Sequence, residues 1–192
     1  MLAGNEEGRT GVKDMDAVRL VLRGAIGGTM IAHGIKHGRT LDGTARWFGS
    51  IGFREPKLQA AASAVVETGA GAAIIAGAAT PLSAAAVVGT MAVAARTVHL
   101  PNGFFITGEG YEYVMNLSAA SVALAALGPG SLSVDRLLGI DEKLSPAQRA
   151  LLAAGVGIGA AAVQLAVFWR PKKPGPAEQE AAPPAAPAEP AA

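Results

Sequence analysis

The longest apolar stretch of the chain runs from Leu58 to Val98, and it constrains the fold more than any other feature. It contains only two charged side chains, Glu67 and Arg96. A membrane-spanning helix needs about 20 mostly apolar residues, so this stretch is too long to be one helix. Proline favours the first turn of a helix and disfavours helical geometry in the residue before it, which makes Thr80-Pro81 the natural break. The stretch therefore predicts two membrane spans joined by a short turn.

Three further segments have the length and apolar character of a span. They run from about Ala17 to Lys36, from about Tyr113 to Leu127, and from Ala150 to Trp169. Only 16% of the 192 residues are charged, whereas soluble domains average about 25%. Five such segments with almost no polar faces argue against the buried helices of a soluble protein. The N-terminus is acidic rather than basic, so the first segment is predicted to be a retained span and not a signal peptide.

Composition also excludes several classes of function. The chain has no cysteine, so it forms no disulfide and supplies no thiolate to a cluster or to catalysis. Its net charge is +1, and it lacks a basic stripe with interleaved aromatic residues, so nucleic acid is not an expected partner. The lipid bilayer is the expected surrounding, with other membrane or membrane-associated subunits as protein partners.

Five spans distribute the loops over two sides of the membrane, which we call face A and face B. Face A carries the loops after spans one and three and the C-terminal tail, and face B carries the N-terminus, the 80–82 turn and the 128–149 loop. All nine aromatic residues fall on face A, which predicts structured caps there. Nine of the 16 Lys and Arg residues also fall on face A. The positive-inside rule therefore favours an outside N-terminus and a cytoplasmic C-terminus.

Ionisable residues within the spans gather towards face A, and such residues mark functional sites by default. Glu67 is the strongest candidate because it lies deepest; the alternative is a structural ion pair with Lys36 or Arg96. His33 has the alternative of a hydrogen bond to a backbone carbonyl, and His37 is predicted to lie at the membrane interface. No metal site is predicted. The candidate pocket, for a quinone or a proton relay, comprises His33, Lys36, Glu67, Arg96, His99, Phe104, Phe105 and Glu112.

Several motifs in order resemble the DoxX family of small bacterial membrane proteins. They are "RLVLRGAIGGTMIAHGIKHG", a Trp-Phe loop followed by a span that carries Glu67, "NGFF" with "GEGYEY", and "GPGSLSVD". The resemblance covers about residues 19 to 135 and implies a four-helix bundle in a bacterial plasma membrane. It also implies that His33, Lys36, Glu67, Gly103, Phe104, Phe105, Glu112 and Asp135 are family-pattern positions. Relatives have been linked to a thiosulfate:quinone oxidoreductase and to a membrane complex that contains a superoxide dismutase.

The predicted architecture is thus all-α and integral to the membrane. A polar leader (1–16) precedes a DoxX-like four-span bundle (17–135), a loop (136–149), a fifth transmembrane helix (150–169) and a disordered Pro/Ala-rich tail (170–192). Two GxxxG pairs, Gly24 with Gly28 and Gly155 with Gly159, are expected to serve helix packing.

Four functions are compatible with these features, and enzymatic activity is left open. The first is a subunit of a redox or oxidative-stress complex that binds quinone, for which an electron donor must lie in another chain. The second is a non-catalytic accessory or scaffold subunit of a larger respiratory complex. Haem bound by His33 and His99 is disfavoured because no partners that would orient the imidazoles are evident. A small transporter is disfavoured because no inverted repeat is evident.

Overall fold

The computed structural model describes residues 3–140 and 143–171, with side chains from Met15 onward. Its α-helices are α1 (Ala3–Arg39), α2 (Leu41–Ser50), α3 (Pro56–Ala76), α4 (Thr80–Ala94), α5 (Glu112–Leu127), α6 (Val134–Leu137) and α7 (Pro146–Phe168). A π-helical turn, Ala95–His99, and a 3₁₀ turn, Leu100–Asn102, continue α4, and a second 3₁₀ turn covers Ile106–Gly108. The predicted tail lies almost entirely outside the described residues.

Three of these helical segments are long and apolar enough to cross a membrane: Pro56–Ala76, Thr80–Asn102 and Pro146–Phe168. The predicted break is confirmed, since α3 ends at Ala76 and Pro81 occupies the first turn of α4. Helix α5 is apolar but shorter, and α1 carries Arg19 and Arg23 within its apolar part. The protein is therefore an all-helical membrane protein.

The helices alternate in direction. Helix α1 packs on α3, α3 on α4, and α4 on α5, while α7 packs on α4 and α5. The C-terminal end of α7 lies beside the loop between α2 and α3, where Trp169 Nε1 donates to the Ile51 carbonyl at 2.8 Å. Residues Phe53 and Trp169 also form an isolated antiparallel bridge. The ends assigned to face A in the sequence therefore lie together, and α2 covers them as a short cap.

Close helix contacts occur at glycines other than the predicted pairs. A Cβ at Gly71 would lie 2.6 Å from the Gly27 carbonyl oxygen, and one at Gly157 would lie 2.6 Å from the Ala85 carbonyl oxygen. By contrast, a Cβ at Gly24, Gly28, Gly155 or Gly159 would meet nothing within 4 Å. The expectation that the GxxxG pairs pack within the bundle is therefore wrong. The stripe of Arg23, Ile26 and Met30, which is buried, turns Gly27 rather than Gly28 towards α3.

Arg23 holds together the ends of the helices on face B. It is 4% exposed, and its guanidinium donates to the carbonyls of Ile74 (3.0 Å), Ile75 (2.5 Å), Pro129 (3.0 Å) and Leu132 (2.7 Å). The first two acceptors belong to the last turn of α3, whose carbonyls have no partners within the helix. A cation at a helix C-terminus is also favoured by the helix dipole.

Other polar side chains close the remaining helix ends on this face. The buried Asp135 carboxylate accepts hydrogen bonds from the backbone N–H groups of Ala79 (2.6 Å) and Thr80 (2.8 Å) at the start of α4. Arg19 donates to the Leu127 carbonyl, and Arg149 donates to Ala125 at 3.1 Å, so both satisfy the end of α5. These contacts give Asp135 a structural role.

Asp16 joins the same network at the edge of face B. Its carboxylate accepts hydrogen bonds from the Ser131 side chain and backbone, and Arg19 lies 3.0 Å away. The hydrogen bonds from Ser131, helped by Arg19, lower the pKa of Asp16. A lowered pKa favours the native fold above the ordinary pKa of an aspartate, and this contribution is lost as the pH falls below it.

We expect Arg23→Ala to lower the free energy of unfolding by more than about 3 kcal/mol, because several buried carbonyls lose their donor. Thermal unfolding of the protein in mild detergent measures this effect. Arg39→Ala, at the exposed end of α1, is the matched control and is expected to leave the unfolding temperature unchanged. Equal stability of the two variants would show that Arg23 does not hold face B together.

We expect Gly71→Val to destabilise the bundle by about 1–3 kcal/mol, since the added side chain forces α1 away from α3. Gly69→Val is the control on the same helix, because a Cβ at Gly69 meets nothing within 4 Å. The same thermal unfolding measurement compares them. Similar losses for both variants would contradict the packing described at Gly27 and Gly71.

Candidate functional site

The centre of the candidate site is a contact between α1 and α3. Glu67, on α3, is 4% exposed. Its Oε1 accepts a hydrogen bond from Ser63 Oγ at 2.5 Å, and its Oε2 lies 3.2 Å from Nδ1 of His37. The same histidine nitrogen lies 2.9 Å from Ser63 Oγ. Ser63 and Glu67 are four residues apart and so share one helix face.

Two further rings extend this centre along α1 and α5. His33 lies one turn before His37, and the two ring centroids are 6.3 Å apart. The His33 ring also stacks on Tyr113, again with a centroid separation of 6.3 Å. Ligand atoms of His33, His37 and Glu67 all lie within 4.8 Å of one another. Helix periodicity brings the two histidines together, and the glycine contact between α1 and α3 brings Glu67 to them.

A cavity of about 460 Å³, which we call the polar cavity, opens beside these residues. It lies between α1, α2, α4 and α5. Its ionisable and phenolic lining residues are His33, Lys36, His37, Glu67, His99 and Tyr113. Two buried polar atoms on its wall, Glu67 Oε2 and the Tyr113 hydroxyl, have no hydrogen-bond partner among the described residues.

A second cavity, which we call the apolar cavity, has a volume of about 360 Å³ and lies between α2, α3, α4 and α7. Trp47, Phe48 and Phe168 line it with aromatic rings. Gln59 and Gln164 lie in its wall and are joined by a hydrogen bond of 2.8 Å. Leu58 and Val66 also line it and are 55% and 44% exposed, so its mouth opens on the apolar outer surface of α3.

The His37–Glu67 pair lies in the wall of both cavities. On one side of the pair is the apolar cavity, which has aromatic walls and opens towards the lipid-facing surface. On the other side is the polar cavity, which has cationic and phenolic groups and lies at the face-A end of the bundle. The pair can therefore exchange hydrogen bonds with a molecule in either chamber. A proton relay through Glu67 stays a prediction.

The structure brings together only part of the predicted pocket. His33, Lys36, Glu67 and His99 line the polar cavity, although Nδ1 of His99 lies 2.6 Å from the Glu109 carbonyl oxygen. Among the described residues, Glu67 makes no ion pair with Lys36 or Arg96; the Arg96 guanidinium instead lies 4.6 Å from the centre of the Trp169 ring.

The loop before α5 accounts for the other predicted residues. Phe104 packs edge-on against Phe105 and Tyr111 with centroid separations of 5.3 and 5.4 Å. Glu112 Oε2 accepts a hydrogen bond from the Ile106 backbone at 3.1 Å. These residues and Arg96 line neither of the two cavities. They shape the loop that leads from α4 into α5.

Three members of the candidate site, His37, Ser63 and Tyr113, are not among the residues that the sequence predicts for it. The sequence predicts His37 at the membrane interface, whereas in the structure it contacts Glu67. Its position on the stripe of Arg23, Met30 and His33 was the signal that could have found it. Ser63 was indicated only by its four-residue spacing from Glu67, whereas Tyr113 gave no signal, because its contact with His33 depends on how α5 packs on α1.

A helical bundle with a carboxylate and two histidines near one end defines a polytopic membrane protein with a polar site inside the bundle. Residues 18–100 match the model of the DoxX family. No match is found among curated proteins or solved structures. Helices α5 and α7, which complete the two cavities, lie outside the matched segment.

Proposed function

We propose that this DoxX-type protein is a quinone-binding subunit of a membrane redox complex. The observation that carries the proposal is the apolar cavity, which combines aromatic walls, polar groups and an opening towards lipid. A volume of about 360 Å³ lies within the range of small-molecule sites, about 300–1,000 Å³. A quinone fits this chemistry because it has a flat ring, carbonyl oxygens that need donors, and an isoprenoid tail that stays in lipid.

The apolar cavity offers polar groups of two kinds. His37 and the hydrogen-bonded Gln59–Gln164 pair line it. Imidazole and amide N–H groups donate to carbonyl oxygens, so these residues are suited to the carbonyls of a quinone ring. Trp47, Phe48 and Phe168 supply ring faces and edges for packing against it.

Electrons for a bound quinone have to come from another subunit. The chain contains no cysteine, so it offers no thiolate for an iron–sulfur cluster, and residues 3–140 and 143–171 include no named strand that could carry a nucleotide-binding glycine motif. We therefore place the electron donor, a flavin, haem or iron–sulfur centre, in a partner protein that docks at face A. There the polar cavity and the cap helix α2 meet.

The proposal includes five membrane crossings, by the apolar part of α1 and by α3, α4, α5 and α7. The polar network at face B and the aromatic cluster at face A support it, because both ends of each helix lie with the polar or aromatic groups expected at a membrane boundary. Face A is placed in the cytoplasm of a bacterial cell.

We expect membrane-impermeant maleimide, applied to intact cells, to label Leu137→Cys on face B but not Lys57→Cys on face A. The parent chain has no cysteine, so each variant reports one position. Both residues are exposed. Labelling of Lys57→Cys alone would reverse the orientation, and labelling of both would contradict placement of these positions on opposite sides.

We expect quinone to co-purify with the protein and Ala62→Phe to reduce the bound amount at least about tenfold, a change of about 1.4 kcal/mol in binding. Ala62 lines the apolar cavity, so the larger ring occupies its mouth. Ala61→Phe is the matched control, because Ala61 is exposed on the same helix and lines neither cavity. Organic extraction followed by chromatography measures the bound quinone.

If no quinone co-purifies and a short-chain menaquinone analogue does not bind the wild-type protein, the quinone proposal is wrong. If the analogue binds equally well to the Ala62→Phe and Ala61→Phe variants, the apolar cavity is not the site.

A second candidate function is that of an accessory subunit whose outer helix packs against a larger complex. The observation that favours it is the apolar outer face of α7, where Leu151, Ile158 and Val163 are 71%, 57% and 65% exposed. Purification in mild detergent, with crosslinking, tests for a stoichiometric partner at this helix. The two functions are compatible, since a quinone-binding subunit also needs its electron donor close by.

A further inference from the structure

We infer that His33, His37 and Glu67 form a binding site for a divalent transition-metal ion such as Zn²⁺ or Fe²⁺ at the boundary between the two cavities. Two histidines at positions i and i+4 present their rings on one face of a helix, and a carboxylate approaches from a second helix. Two histidines and one carboxylate form a recurrent ligand set for zinc and for non-haem iron(II). The inference does not depend on quinone binding.

The distances are compatible with one ion. The three ligand atoms lie within 4.8 Å of one another. Ligand atoms about 2.0–2.2 Å from a tetrahedral zinc ion are about 3.4 Å apart. Rotation of the imidazole rings would close this difference. His33 is exposed and lines the polar cavity, so its ring can move off Tyr113, on which it stacks, towards the ion.

The state of Glu67 also points to a ligand. Its buried Oε2 accepts no hydrogen bond from the described residues and has the His37 ring nitrogen 3.2 Å away, whereas its Oε1 is occupied by Ser63. A buried carboxylate without a full set of partners is costly in an apolar surrounding. A divalent cation on Oε2 would compensate for its charge, while Ser63 would hold the carboxylate in position as outer-sphere residues commonly do.

The remaining coordination positions would face the polar cavity. Three protein ligands with an open position are typical of reactive rather than purely structural metal sites. The Tyr113 hydroxyl, which is buried without a partner among the described residues and lines the same cavity, can hydrogen-bond to a water molecule on the ion. Binding of the ion to one nitrogen of His37 fixes the other as an N–H donor, which suits the quinone proposed next to it.

Titration of the chelator-treated, full-length protein with Co²⁺ in detergent tests this inference. We expect wild-type protein to bind a single Co²⁺ with the visible d–d absorption of a low-coordinate ion. His33→Ala, His37→Ala and Glu67→Gln should each weaken binding more than about 100-fold, and Ser63→Ala by about 10–100-fold as an outer-sphere partner. His99→Ala is the matched control, since His99 lines the same cavity without belonging to the ligand set.

A gain-of-signal variant keeps the test independent of folding defects. His33→Cys introduces the sole thiolate in the chain, and its ligation adds a sulfur-to-cobalt charge-transfer band in the near ultraviolet. The inference is overturned if wild-type protein shows no d–d absorption. It is also overturned if His99→Ala weakens binding as much as His33→Ala does, or if His33→Cys binds Co²⁺ without the new band.

Metal binding and quinone binding can be distinguished with one variant of each cavity. His33 does not line the apolar cavity, so His33→Ala should lose Co²⁺ and retain quinone. Ala62→Phe should lose quinone and retain Co²⁺. Loss of both ligands in either variant would mean that the two cavities form one site.

Discussion

The fold depends on the hydrogen bonds of the Arg23 guanidinium. Helices in lipid satisfy their backbone groups internally except at their ends, and no solvent substitutes for a missing partner in the hydrocarbon region. Arg23 supplies donors to the last turn of α3 and to the loop after α5. It thereby fixes α1, α3 and α5 relative to one another at face B. Because α1 and α3 are also in glycine contact along their length, the positions of His33, His37 and Glu67 follow from this anchor.

The two ends of the bundle differ in how their polar groups are hydrogen-bonded. At face B, Arg23 and Asp135 form hydrogen bonds with backbone groups and stabilise the helix ends. At face A, Glu67 and Tyr113 each have a buried polar atom without a hydrogen bond among the described residues, and two cavities lie beside them. Buried polar groups without partners are rare in native proteins and require an explanation. This contrast between the two ends is the reason for proposing a ligand site at face A.

Much of the architecture was predictable from residues that act locally. Apolar length identified three helical segments that can cross a membrane, Pro81 marked the break between α3 and α4, and the depth of Glu67 singled out the carboxylate at the centre of the candidate site. Features that depend on helix rotation were not predictable. Arg96 could have reached Glu67 by position along α4, but its side chain packs on Trp169 instead. The GxxxG pairs failed for the same reason, since a glycine motif does not specify which face of a helix turns inward.

The contact between Gly89 and Gly157 has a consequence for comparing related sequences. A Cβ at Gly89 would lie 3.1 Å from the Gly157 carbonyl oxygen on α7, so the size of residue 89 is limited by a helix outside the segment that matches the family. Where no helix takes the place of α7, this obstacle is absent and a larger side chain is compatible with the position. The residue at this position thus becomes a diagnostic of bundle architecture: a small residue is expected where a fifth helix packs, and this expectation can be examined across sequences for which no structure exists.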